Sequence, residues 1–305
     1  MAIRGSESPF FSRVERFGSV GSTNDIVGDW LAGGTAEVCV AVADEQRAGR
    51  GRAGRTWLSP PSMALLSSVG FRPAWLAPDR AWRLAATVSL AMADAAEETA
   101  GLAEGTVRLK WPNDLVVEGD GRAHLQGEPV LDVARLGRTG PTTVRKLGGV
   151  LGETDGLGTA DPRVVVGIGV NADWPAAAFP PELAGTMTSL REAAAGRPID
   201  RDLLLEEFLA RLEPRILALR EGWFDVAGWT ERQITTGRTI VLESAGGRLE
   251  ERGAVGVDAL TGALVVADAL APERERAVLA GEIVHVRLAE PLAARAATGT
   301  PGERV

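Results

Sequence analysis

Four short strings in this chain carry side chains suited to handling an anion. The first is Gly49-Arg50-Gly51-Arg52-Ala53-Gly54-Arg55. Its glycines free the backbone and bare N–H groups, and its guanidinium forks supply paired donors. With Arg47, the segment puts four positive charges into a protein of net charge −8. Such a loop buries little and repels itself, so it is expected to be mobile until an anion neutralises it. A polyphosphate or an acyl phosphate would do so. An RG-type nucleic-acid segment or a solvated loop carries the same charge pattern. The spacing matches neither GxxxxGK[ST] nor a GxGxxG turn followed by a helix.

The second and third strings are Lys110-Trp111-Pro112-Asn113-Asp114 and Lys146-Leu147-Gly148-Gly149-Val150-Leu151. Of 33 Lys and Arg residues, only Lys110 and Lys146 are lysines, which leaves 31 arginines. A GC-rich coding bias explains the scarcity but not the placement. Lysine is a compact, mobile point charge where arginine is a planar fork. Asp114 is a candidate Mg²⁺ ligand, and Asn113 a candidate partner for a base or phosphate. The same five residues also read as a hairpin turn with Trp111 packing. Lys146 sits in a strand pattern and needs an anion partner unless it lies at an exposed edge. The fourth string, Gly167-Ile168-Gly169-Val170-Asn171, marks close approach of a backbone or ligand, or a tightly packed core strand. Further upstream, Ser22-Thr23-Asn24 reads as a helix cap. Capping does not exclude binding, because a helix N-terminus offers N–H groups to ligands.

The elements that must hold these strings follow from periodicity. Strands are predicted over 10–17, 38–43, 63–71, 107–110, 115–117, 146–153 and 164–170. The last is apolar on both faces and is expected to be central. Helices are predicted from the cap at Ser22 to Gly33, over 78–99, and over 200–222 with Asp200 as cap. Residues 118–145 are poor in large apolar side chains and read as an exposed loop. After residue 233 come short alternating runs at 239–243, 248–257, 263–267 and 276–288, separated by glycine, which suggest a small barrel.

Composition narrows the class. At 305 residues the chain has room for two domains. Apolar content of 45% and charged content of 24% are globular values. The negative net charge argues against a general nucleic-acid binder. Cys39 stands alone in an apolar run, so no internal disulfide forms, and the chain reads as cytoplasmic. No N-terminal basic region is followed by an apolar run and no stretch approaches eighteen uninterrupted apolar residues, so neither secretion nor a membrane span is expected. His124 and His285 are far apart without a CxxC, which gives zinc no support.

Taken together and in order, the strings resemble those of the biotin protein ligase (biotin–[acetyl-CoA-carboxylase] ligase) family, within the biotin/lipoate ligase superfamily. The resemblance rests on Gly21-Ser22-Thr23-Asn24, Gln46, the GRGRxGRxW string ending at Trp57, the KWPND string at Lys110, the string from Lys146 to Glu153, and that from Gly167 to Asn171. It covers residues from about 12 to 288. GRGRxGRxW together with KWPND is highly specific, whereas either alone leaves the wider superfamily open. The resemblance implies an α+β fold: a class II synthetase-like catalytic domain with a central mixed sheet over 1–233, then an SH3-like β-barrel over 234–290 and a tail over 291–305. It implies activation of biotin with Mg²⁺ and ATP as biotinyl-5′-AMP, then transfer to a lysine of a biotin carboxyl carrier domain of acetyl-CoA, acyl-CoA or pyruvate carboxylase. A lipoate or octanoyl ligase of the same superfamily is the alternative.

By motif, the resemblance assigns Ser22, Thr23, Asn24 and Gln46 to the biotin pocket. Arg50, Gly51 and Arg52 close over biotin and the adenylate phosphate, and Lys146 touches the carboxyl and phosphate; Lys146, Arg50 and Arg52 are the catalytic candidates. Arg50, Arg52, Arg55, Trp57, Lys110, Asn113 and Asn171 are assigned to the nucleotide, and Asp114 to the metal. The Ser-Thr-Asn string begins at residue 22, so the helix-turn-helix repressor domain of some members is not expected, nor is DNA or membrane binding. The 118–145 segment is longer than the family's usual link between these strands.

Overall fold

The structure, a computed structural model, describes residues 8–119, 144–244, 246–268 and 271–288. Two sheets organise it. The larger has seven strands: β1 (Arg13–Val20), β2 (Cys39–Gln46), β3 (Ala64–Phe71), β4 (Val107–Lys110), β5 (Asp114–Glu118), β6 (Val144–Asp155) and β7 (Arg163–Asn171). They lie in the order β1-β2-β3-β7-β6-β5-β4. β1 runs parallel to β2 and every other pairing is antiparallel, so the sheet is mixed. The doubly apolar β7 takes the middle place, as its sequence predicts.

Alternation along β7 shows how the sheet divides its two faces. Val164, Val166, Ile168 and Val170 enter the main core, which is closed by α2 (Trp82–Ala100) and α4 (Arg201–Arg220). Val165 faces the other way, into a small cluster with Val27 and Leu31 of α1 (Thr23–Ala32). Gly167 and Gly169 share that second face by the two-residue period of a strand. α1 begins where its sequence indicates: Ser22 Oγ accepts from the Asn24 amide. α2 ends at Gly101 in the left-handed region (φ 58°). Asp200 caps α4 by accepting from Asp202 and Leu203. Two short helices, α3 (Leu190–Ala193) and α5 (Val226–Glu231), complete this layer.

The smaller sheet is antiparallel: β8 (Thr239–Ser244), β9 (Leu249–Val257), β10 (Leu264–Asp268), β11 (Ala271–Val278) and β12 (Ile283–Leu288), in the order β11-β10-β9-β8-β12. The run read as one strand over 276–288 is therefore two, broken by a 3₁₀ turn at Ala280–Glu282. Among the described residues, the core of this sheet takes in one from the other unit. Trp111 is 3% exposed among Ile240, Leu264 and Val266, and its indole N–H donates to Gly262 O. Trp111 is thus a packing residue, and it pins the β4–β5 turn to the small sheet.

The segment read as a loop over 118–145 is framed by strand at both ends. Glu118 pairs directly with Val144, while residues 120–143 lie outside the described residues, as do 291–305. Replacing 120–143 by a short glycine-containing turn closes a simple hairpin. Loop length changes closure entropy by only about 0.6 kcal/mol per doubling, so the melting temperature is expected to move by at most about 4 °C. Loss of cooperative unfolding in a thermal melt would show that the segment belongs to the core.

Candidate active site

On the α1 face of the large sheet lies a cleft of about 330 Å³. Every predicted biotin-pocket residue borders it: Ser22, Thr23, Asn24 and Gln46 at one end, with Arg50, Gly51, Arg52 and Lys146. Arg55, Trp57, Asn113 and Asn171 border it too. Lys110 and Asp114 do not. They border a second cavity of about 460 Å³ between the two sheets, together with Trp82, Gln233 and Leu279.

One end of the cleft is a chain of hydrogen bonds. Gln46 Oε1 accepts from the Thr23 amide at 2.7 Å and its hydroxyl at 3.0 Å. Thr23 Oγ1 lies 2.7 Å from Ser68 Oγ, which donates to Asn24 Oδ1 at 2.6 Å. Asn24 Nδ2 donates to Glu153 at 2.8 Å. Arg50 closes the chain, paired with Glu153 at 3.2 Å and with Asp25 at 2.7 Å. Thr23, Asn24 and Ser68 are all buried, so their polar atoms are fixed by one another rather than by water.

The two glycines of β7 make room for this arrangement. A Cβ on Gly167 would fall closer than 3.0 Å to Asn24 Oδ1, and one on Gly169 would stand 2.8 Å from the Trp57 ring. The close approach marked by Gly-x-Gly is thus by two side chains of the protein. Trp57 roofs the cleft, with Lys146 Nζ 5.5 Å from its ring centroid.

Lys146 is held from both sides. Its amide donates to Thr186 O and its carbonyl accepts from the Thr188 amide, each at 2.8 Å. Its ammonium stands 2.6 Å from Asp114 Oδ1, and Lys110 Nζ stands 3.6 Å from Asp114 Oδ2. The two lysines of the chain therefore converge on one carboxylate. Burial pushes the Asp114 carboxyl up, but Lys146 and Lys110 outweigh it and hold the group below the usual carboxylate range. Burial likewise draws Lys110 below the ordinary lysine value, against the pull of Asp114. Both oxygens of Asp114 face ammonium groups, and among the described residues no group of three or more His, Cys, Asp or Glu side chains could hold a metal ion.

The Gly/Arg loop is tied down rather than splayed by its charges. Arg50 is latched to the two carboxylates. Arg52 donates to the carbonyls of Ala280 and, at 2.8 Å, Ile283 in the small sheet. The self-repulsion implied by sequence is offset by acceptors distant in the chain. Asn171 donates to Thr188 O at 2.9 Å, and Asn113 to Val150 O at 3.0 Å. Sequence reasoning missed Asp25 and Ser68 as links in the polar chain. It also missed Trp174, Leu183 and Met187, which give the cleft an apolar end. Ser68 left one signal, a hydroxyl pair inside the apolar run of β3.

The chain belongs to the biotin/lipoate A/B protein ligase family, whose model matches residues 18–171, half of the chain. It is 28% identical over 278 residues to a biotin–[acetyl-CoA-carboxylase] ligase of Mycobacterium tuberculosis, covering 88% of this chain and 86% of that one. A bifunctional ligase/repressor BirA of Bacillus subtilis is 30% identical over 179 residues, which make up 59% of this chain and 46% of the relative. Among solved structures, a biotin protein ligase from Aquifex aeolicus in complex with biotin and ATP shares the fold, with TM-score 0.67 and 23% identity over 91% of this chain and 99% of that chain. No helix among the described residues is long and apolar enough to cross a membrane.

Proposed function

We propose that this enzyme activates biotin with ATP and attaches it to a lysine of a carboxylase carrier domain. The observation that carries this reading is the cleft itself. A buried hydrogen-bonding end, a single lysine ammonium and an apolar end lie in one cavity under an Arg/Gly loop. That sequence of environments suits a fused-ring amide, then a carboxylate meeting a phosphate, then a base. Ser22, Thr23, Asn24 and Gln46 hold the ring. Lys146, Arg50 and Arg52 face the reacting oxygens; Asn113 and Asn171 serve the nucleotide, whose adenine lies toward Trp174 and Met187. In the first step a biotin carboxylate oxygen bonds to the α-phosphorus of ATP and the bond to pyrophosphate breaks. In the second, the carrier lysine's amine bonds to the acyl carbon, loses a proton, and AMP leaves with the anhydride oxygen. Lys146 meets charge as it builds on those oxygens, where a fixed cation in a water-poor site is most effective. Both oxygens of Asp114 face ammonium groups, a poor setting for a metal ligand, so no step here runs through Asp114 as one. Residues 1–233 form the catalytic unit and 234–290 the accessory sheet.

The deciding experiment is the mass of an acetyl-CoA carboxylase carrier domain after incubation with the enzyme, ATP, Mg²⁺ and either biotin or lipoate. Biotin addition without lipoate addition is the expected result. Lipoate addition alone would assign the enzyme to the other branch of the family. Biotin with ATP is also expected to slow amide exchange in residues 47–57 roughly tenfold or more, because bound anions add acceptors for the loop's backbone and guanidinium groups. Unchanged exchange would argue against closure of that loop over the intermediate.

A further inference from the structure

The reading above uses Lys146 and leaves Lys110 without a task. Lys110 stands 3.6 Å from Asp114 Oδ2, on the opposite oxygen from Lys146, and its side chain is 13% exposed against 36% for Lys146. Asp114 and Lys110 border the cavity between the sheets, while Lys146 borders the cleft, so the carboxylate bridges the two spaces. Arg55 acts on both Lys110 and Asp114, and Arg52 on Asp114, but the cations paired with the carboxylate are Lys110 and Lys146. A carboxylate only 15% exposed, with one ammonium partner, cannot release it without being left as a poorly solvated unpaired charge, which is unfavourable. With a second partner in place, release costs far less. We propose that Lys110 is a positioning residue: the standing counter-ion of Asp114 that frees Lys146 to move from the carboxylate to the reacting oxygens. Without Lys110, Lys146 can reach the reacting oxygens only by leaving Asp114 as an unpaired negative charge beside the incoming phosphates, so it stays on the carboxylate. This inference rests on the ligase reading for its kinetics but has a test that does not.

Single-turnover adenylate formation is measured for the parent, Lys110→Met, Lys110→Gln, Asp114→Asn and Lys110→Met/Asp114→Asn. The expected result is a loss of about tenfold or more in the rate for both Lys110 variants, with KM for ATP within about twofold. Adding Asp114→Asn to Lys110→Met should recover part of the loss, since it removes the stranded charge. Parental rates in the Lys110 variants, a raised KM with unchanged rate, or a double variant slower than Lys110→Met would each overturn the proposal. A raised KM alone would make Lys110 a direct nucleotide ligand. Lys110→Gln keeps a donor to Asp114 and so covers the case in which Lys110→Met fails to fold. If the parent forms no adenylate, the ligase reading fails, and thermal melts still judge this one. Lys146→Met alone should lower the melting temperature by at most about 3 °C, whereas Lys110→Met/Lys146→Met should fall by more than the two single shifts combined. Additive shifts would overturn it.

Discussion

Replacing Lys146 with alanine is expected to slow adenylate formation about a hundredfold while leaving the fold intact. Removing a preorganised charge from a developing oxyanion typically costs roughly 3 kcal/mol, and each 1.36 kcal/mol is about tenfold in rate. The fold should survive because the backbone of Lys146 is held by Thr186 and Thr188, and Asp114 keeps Lys110 as a partner. Single-turnover formation of the adenylate, beside a thermal melt, makes the measurement. A well-folded variant that forms the adenylate at the parental rate would remove Lys146 from the mechanism.

Gly167→Ala is expected to be the most damaging single methyl group that can be added to the cleft. The new carbon would lie closer than 3.0 Å to Asn24 Oδ1. Asn24 cannot step aside cheaply, because its amide is fixed by Ser68 on one side and Glu153 on the other and its backbone opens α1. Overpacking of this kind costs about 1–3 kcal/mol. Here the strain falls on the residues assigned to the ring of the substrate, so biotin affinity should drop about tenfold or more, read by calorimetry. Gly152→Ala is the control on a neighbouring strand, with nothing within 4 Å of the added carbon, and should bind biotin as the parent does. Equal behaviour of the two variants would mean that Asn24 does not hold the ligand.

Much of this was legible in the sequence where the determinants are local. Ser22 and Asp200 cap the helices they were expected to cap, because capping is settled within a few residues. β7 showed its central place through an unbroken apolar run, since a strand covered on both faces has no polar side to display. The residues of the cleft were found by motif, and the sheet brings them together. What escaped was long-range. β11, Ala-Pro-Glu-Arg-Glu-Arg-Ala-Val, shows no apolar alternation; its place comes from pairing with β10 and from ion pairs such as Arg276 with Glu250. The latch of Arg50 on Asp25 and Glu153, and the reach of Arg52 to Ala280 and Ile283, join segments far apart in the chain, which no periodicity encodes. Lys110, assigned to the nucleotide by motif, borders the second cavity rather than the cleft, a placement that depends on how the two sheets meet.

That indole ties the small sheet into the melting behaviour of the whole protein. Trp111 supplies bulk to one hydrophobic cluster while its neighbours on either side, Lys110 and Pro112, belong to the other unit's hairpin. The two units therefore share a side chain rather than merely an interface, and heating should show one calorimetric peak where two independent modules would show two. A chain cut after residue 233 would bare an aromatic ring beside the Lys110–Asp114–Lys146 charges, and should self-associate even though all seven strands of its sheet remain.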